Sequence, residues 1–133
     1  MIRDVEDLEV YWRSMELLKP IYRLAKLLPK SEFKLRSQLT SAAKSIPALT
    51  TEGFAKRRSA KEFKRFLEMA LGSSDEVITH LRQIKLIGFA RIKDETCDAL
   101  LEHYRIVSKQ VNTLIKVWKN YNSEKSDNPI NPR

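Results

Sequence analysis

The sequence predicts an all-α fold, an antiparallel up-down-up-down four-helix bundle, and three observations predict it. Apolar residues recur at alternating steps of three and four along four long segments, the spacing that lines one face of a helix. Only 3 Gly and 5 Pro occur in 133 residues, too few turn formers for a β-sandwich of this length. Hydrophobic residues at 42% and charged residues at 32% suit a chain that buries a core beneath a solvated surface. This length fits one domain with a core of its own, expected over residues 1–121.

The first helix is expected at about 7–28. Leu8, Tyr11, Met15, Leu18, Tyr22 and Ala25 form one apolar row. Leu17, Ile21, Leu24 and Leu28 form a second beside it, so the stripe is broad enough to touch two neighbours. Pro20 removes a hydrogen bond and crowds the preceding turn, which predicts a kink or a local break. The second helix is expected at about 32–57, with Leu35, Leu39, Ala42, Ile46, Leu49 and Gly53 inward. A kink is expected at Pro47, where Ser45 and Thr50 are placed to help satisfy freed backbone groups. The small residues Ser41, Ala42, Ala43 and Gly53 would let another helix approach closely.

The third helix is expected at about 60–87 and opens on Ser59-Ala60-Lys61-Glu62, which reads as a capping box. Phe63, Phe66, Ala70, Ser74, Val77, Leu81 and Ile84 form its stripe, widened by Leu67, Leu71 and Ile78. Gly88 suits the helix stop. Gly72 lies inside the helix, where it costs about 1 kcal/mol relative to alanine, and tight packing is the expected compensation. The fourth helix is expected at about 94–119 with Asp94 as N-cap. Cys97, Leu100, Tyr104, Val107, Val111, Leu114 and Trp118 step three and four without a slip, the cleanest heptad in the chain. The polar tail over 122–133, with Pro129 and Pro132, reads as disordered. Four amphipathic segments on short connections favour bundle packing.

Chemistry-bearing patterns are sparse. Carboxylate di-iron bundles use Glu-x-x-His pairs, and the nearest spacing here is Glu76 with His80, four apart. Two His and one Cys make a protein-only zinc site a poor expectation. No Gly-x-Ser-x-Gly, phosphate-binding Gly-x-x-x-x-Gly-Lys or Gly-x-Gly-x-x-Gly pattern occurs. The expectation is therefore a non-enzyme with no cofactor, no metal and no small-molecule substrate. Cys97 lies on the heptad seam as a small hydrophobe, and a lone thiol fits a reducing compartment. No apolar run serves as a leader or spans a bilayer, so the expected location is cytoplasmic with no membrane partner.

Charge is the notable polar feature. Lys and Arg total 25 against 17 Asp and Glu, a formal net charge of +8. Such an excess attracts polyanions, although basic surfaces also serve solubility alone. Six basic residues and one acid occupy the ten positions Lys56-Arg57-Arg58-Ser59-Ala60-Lys61-Glu62-Phe63-Lys64-Arg65, at the junction of the second and third helices. Lys61, Lys64 and Arg65 fall on one side of the new helix while Phe63 and Phe66 turn inward. Lys56, Arg57, Arg58, Lys61, Lys64 and Arg65 are the candidate nucleic-acid-binding residues, for RNA or DNA. The competing reading of the same run is a solvated turn.

Ser45-Ile46-Pro47-Ala48, Glu52-Gly53-Phe54, Lys61-Glu62-Phe63-Lys64-Arg65-Phe66-Leu67 and Ala70-Leu71-Gly72-Ser73 carry a further signal. With Asp7-Leu8-Glu9-Val10-Tyr11 and Gln38-Leu39, they resemble the four-helix-bundle family of large-subunit (23S) rRNA intervening-sequence proteins over roughly residues 7–119. The family's usual Ala-Asn-Ile-Ala-Glu-Gly is replaced here by Ala48-Leu49-Thr50-Thr51-Glu52-Gly53, so its asparagine has no counterpart. The resemblance implies a bundle that assembles into a ring-like homopentamer. It is similar in shape to the basic, nucleic-acid-associated accessory variability protein of diversity-generating retroelements, and it implies no reaction. The leading expectation is a non-enzymatic basic assembly module that binds RNA or DNA through phosphates. The alternatives are a purely structural or protein-partner oligomerisation module with incidental charge, and an enzyme whose site carries no familiar motif.

Overall fold

The computed structural model describes residues 2–118. The tail expected to be disordered over 122–133, and residues 119–121 of the expected domain, lie outside the described residues. Five α-helices and two 3₁₀ turns make up the described chain, and it contains no strand. The helices are α1 (Glu9–Glu16), α2 (Leu18–Leu27), α3 (Phe33–Phe54), α4 (Ala60–Ile87) and α5 (Asp94–Val117), with 3₁₀ turns at Val5–Asp7 and Lys30–Glu32. Helices α1 and α2 together form the first arm of a four-helix bundle. Helix α3 packs along both of them and along α4, α4 packs along α5, and α1 closes the ring against α5. The short connections make successive arms antiparallel. One end of the bundle therefore gathers the start of α1, the α3–α4 junction and the end of α5.

Pro20 explains the division of the first arm. The chain leaves helix at Leu17 and restarts at Leu18, which puts Pro20 in the first turn of α2. A proline there needs no amide partner and its fixed φ suits the turn, so the break replaces a mid-helix clash. Arg36 of α3 closes the other end of α2. Its Nε donates to the Ala25 carbonyl at 2.9 Å and its Nη2 to the Leu28 carbonyl at 2.7 Å.

The two apolar rows expected on this arm are buried to different extents. Val10, Ser14, Leu17, Ile21, Leu24 and Leu28 step four and three and are all buried. In the first row the end members Leu8 and Ala25 are buried and the middle ones lie further out. Tyr11 and Leu18 are half-buried, while Met15 and Tyr22 are 43% and 39% exposed. Both rows are largely apolar, the hydroxyl of the buried Ser14 donating to the Tyr11 carbonyl at 2.9 Å, and the arm packs against α3 and α5.

Helix α3 runs unbroken through Pro47. The Ser45 hydroxyl donates to the Ser41 carbonyl and that of Thr50 to the Ile46 carbonyl, so neither reaches the Ala43 carbonyl that Pro47 leaves free. At Gly53 α3 and α4 approach closely: a Cβ there would stand 2.7 Å from Phe66 Cβ and 3.0 Å from Phe63 Cδ1. Gly72 shows no such packing, since a Cβ there would meet nothing within 4 Å. The tight contact expected around Gly72 is absent because that position faces outward.

Helices α4 and α5 follow the expected stripes. Phe63, Phe66, Ala70, Ser74, Val77, Leu81 and Ile84 are buried, as is every member of the Cys97–Trp118 heptad. The buried Ser74 hydroxyl shares a 2.7 Å hydrogen bond with Ser108, whose hydroxyl donates to Asp75 at 2.9 Å, linking the two helices. Gly88 ends α4 at φ 80°, a left-handed conformation that a side chain would strain. Asp94 is the first residue of α5 rather than its cap, and Lys93 holds the cap position with no side-chain hydrogen bond. In the first turn the Asp94 carboxylate still faces the positive end of the helix dipole.

Candidate nucleic-acid interface

The α3–α4 junction is a five-residue connection and its flanks, built on an aromatic cluster. Phe54 meets Phe63 edge-on at 6.1 Å, and Phe63 meets Trp118 edge-on at 4.6 Å, so the ends of α3, α4 and α5 are locked together. Backbone amides of the turn are satisfied within it: Lys56 N–H donates to the Gly53 carbonyl, Arg57 N–H to that of Phe54 and Ser59 N–H to that of Lys56. The Ser59 hydroxyl accepts from the Glu62 amide at 3.2 Å. This is half of the expected capping box. The other half fails because the Ser59 amide is held by Lys56 and the Glu62 carboxylate turns to Arg65 at 3.3 Å.

On this base the six basic residues divide into two groups. Arg57 is half-buried, its guanidinium lying 4.1 Å from the Phe54 ring centroid while Nη1 donates to the Phe54 carbonyl at 3.1 Å. Arg65 lies 4.6 Å from the Phe66 ring and pairs with Glu62. These two arginines seal the aromatic cluster, each contact contributing about 0.5–1 kcal/mol. Lys56, Arg58 and Lys61 are exposed and Lys64 is half-exposed, and none of the four pairs with a carboxylate among the described residues. Lys56 also stands 5.9 Å from the Phe66 ring. The sequence run is thus one compact patch, in which Arg57 and Arg65 lie on rings, Arg65 still exposed, and the other four cations have no carboxylate partner among the described residues.

Phe54 and Phe66 were absent from the sequence-derived set. Their signal was present as aromatics beside arginines, but only the fold shows that the cations lie on the rings.

His80 is buried at the edge of α4, its ring bonded to Glu76 at 3.2 Å and Gln83 at 3.1 Å. No group of three or more metal-ligating side chains occurs among the described residues. Burial pushes both the Cys97 thiol and the Tyr104 phenol up from their ordinary values, which disfavours the thiolate. No helix among the described residues is long and apolar enough to cross a membrane.

The family described as "23S rRNA-intervening sequence protein" matches residues 6–113. Among solved structures, a protein of unknown function from the S23 ribosomal protein family of Bacteroides thetaiotaomicron aligns with a TM-score of 0.72 at 24% identity. The alignment covers 80% of this chain and 98% of that one. At that identity the likeness shows the shared fold. No curated protein matches the sequence.

Proposed function

The chain belongs to the 23S rRNA-intervening sequence protein family, and from that premise we propose that it is a non-enzymatic, basic assembly module that binds RNA or DNA by its phosphates. The observation that carries this reading is the α3–α4 junction, where Lys56, Arg58, Lys61 and Lys64 crowd one turn and face water without ion-pair partners among the described residues. Like charges held together cost stability, and a polyanion relieves that cost while releasing its condensed counterions. Phosphate contact carries no base identity, so affinity should vary little with sequence.

We further propose that the working form is a homo-oligomer, preferentially the pentamer that the family resemblance implies. An open apolar groove of about 410 Å³ between the first arm and α3, lined by Tyr11, Met15, Leu18, Pro47 and Ala48 among others, supports assembly. Repetition of the junction around a ring would raise avidity on a long strand. A monomer by light scattering at micromolar concentration would contradict the oligomer.

The second reading, a structural or protein-partner module with incidental charge, is favoured by Arg57, whose half-buried guanidinium is committed to the Phe54 ring and carbonyl. Replacing Lys56, Arg58, Lys61 and Lys64 with Gln separates the readings, because it removes the water-facing charge and leaves both arginine–ring contacts in place. Under the leading reading, affinity for mixed-sequence RNA and DNA falls at least about tenfold at low salt with helicity unchanged, by the loss of up to four phosphate contacts. Unchanged affinity would reject the junction as the site.

A further inference from the structure

We propose that the junction prefers single-stranded over duplex nucleic acid, with an unpaired base stacking on the outer face of the Arg65 guanidinium. This rests on the polyanion reading above and adds to it a class of ligand. Three observations place the platform. The Arg65 guanidinium lies 4.6 Å from the Phe66 ring centroid, within cation–π reach. Its Nη2 donates to Glu62 Oε1 at 3.3 Å, a second contact at the edge of the group. The Arg65 side chain is nevertheless 56% exposed, which leaves surface open to solvent.

A planar cation held at its edge and backed by a ring loses little freedom when a base settles on it. Phe66 is itself 8% exposed and Phe63 fully covered, so the rings cannot serve as the stacking surface directly. The guanidinium is the surface they present. Lys61 and Lys64 stand one helical turn or less from Arg65, placed for the phosphates of a strand whose base lies on Arg65. A single strand offers unstacked bases with free faces, and arginine planes are a known surface for them. A duplex hides those faces and offers phosphates alone.

Stacking and charge separate by chemistry. Arg65→Lys keeps the positive charge and removes the plane. The probes are a labelled mixed-sequence RNA strand, and the same strand annealed to its complement, titrated with the full chain at constant salt. The parent binds the single strand more tightly than the duplex. R65K loses about fivefold or more on the single strand, changes less than about twofold on the duplex, and keeps the parent's salt slope, because stacking releases no counterion while phosphate contact does. Equal affinity of parent and R65K for the single strand overturns the stacking and leaves phosphate binding intact. An equal loss on both probes also overturns it, since the residue would then act through phosphate. If the parent binds neither probe at low salt, the polyanion reading itself fails, and with it this one.

Discussion

Gly53 and Gly72 both sit within helices of one bundle, yet they predict opposite responses to the same substitution. At Gly53 a methyl group would stand 2.7 Å from the Phe66 Cβ, an atom that cannot swing aside. Gly53→Ala is therefore expected to lower unfolding free energy by about 1–3 kcal/mol, the usual cost of overpacking. At Gly72 a methyl group meets nothing within 4 Å, and the helical backbone loses less freedom on folding with alanine. Gly72→Ala is expected to raise stability by about 0.5–1 kcal/mol. Urea or thermal unfolding of the two variants beside the parent checks both signs. Destabilisation by Gly72→Ala would show that the position is covered in the working assembly. At the same scale, the junction gains its character from two arginines laid on rings and four cations left in water. Their sequence proximity was legible. The division was not, because it depends on where Phe54 and Phe66 stand after α3 and α4 pack.

Helices α4 and α5 were legible almost to the residue, since one unbroken stripe leaves a single way to face the core. The first arm was less so. It carries two adjacent apolar rows, and periodicity alone does not rank them. The row through Leu17, Ile21, Leu24 and Leu28 is buried, while Met15 and Tyr22 stay exposed. Prolines posed a similar choice. At Pro20 the helix restarts, and at Pro47 it continues. The Ser59 cap formed while its reciprocal half did not, since Arg65 competes for Glu62. The stop of α2 depends on a residue eight positions beyond its last carbonyl partner. Arg36→Ala would leave the Ala25 and Leu28 carbonyls without that donor, at a cost of about 1–3 kcal/mol. Hydrogen exchange should show the loss first in the last turn of α2. Unchanged protection there would mean that water replaces the guanidinium at no cost.

For the whole molecule, the family match and the shared fold place the chain among 23S rRNA-intervening sequence proteins. Fold alone does not assign what a member binds. The proposed role comes from an excess of 25 basic over 17 acidic residues and from the patch that gathers six of them in ten positions. The antiparallel topology brings that patch to the same bundle end as Trp118, where the edge-on contact with Phe63 makes it a firm surface. The most direct measurement is the salt dependence of binding to mixed-sequence RNA and DNA by the parent chain, between about 50 and 200 mM monovalent salt. Four water-facing cations per copy call for a log–log slope of about −3 or steeper, and for little change when the sequence is scrambled. A flat slope, or no binding at the lowest salt, would contradict phosphate recognition at the junction and leave the structural module as the account of this fold.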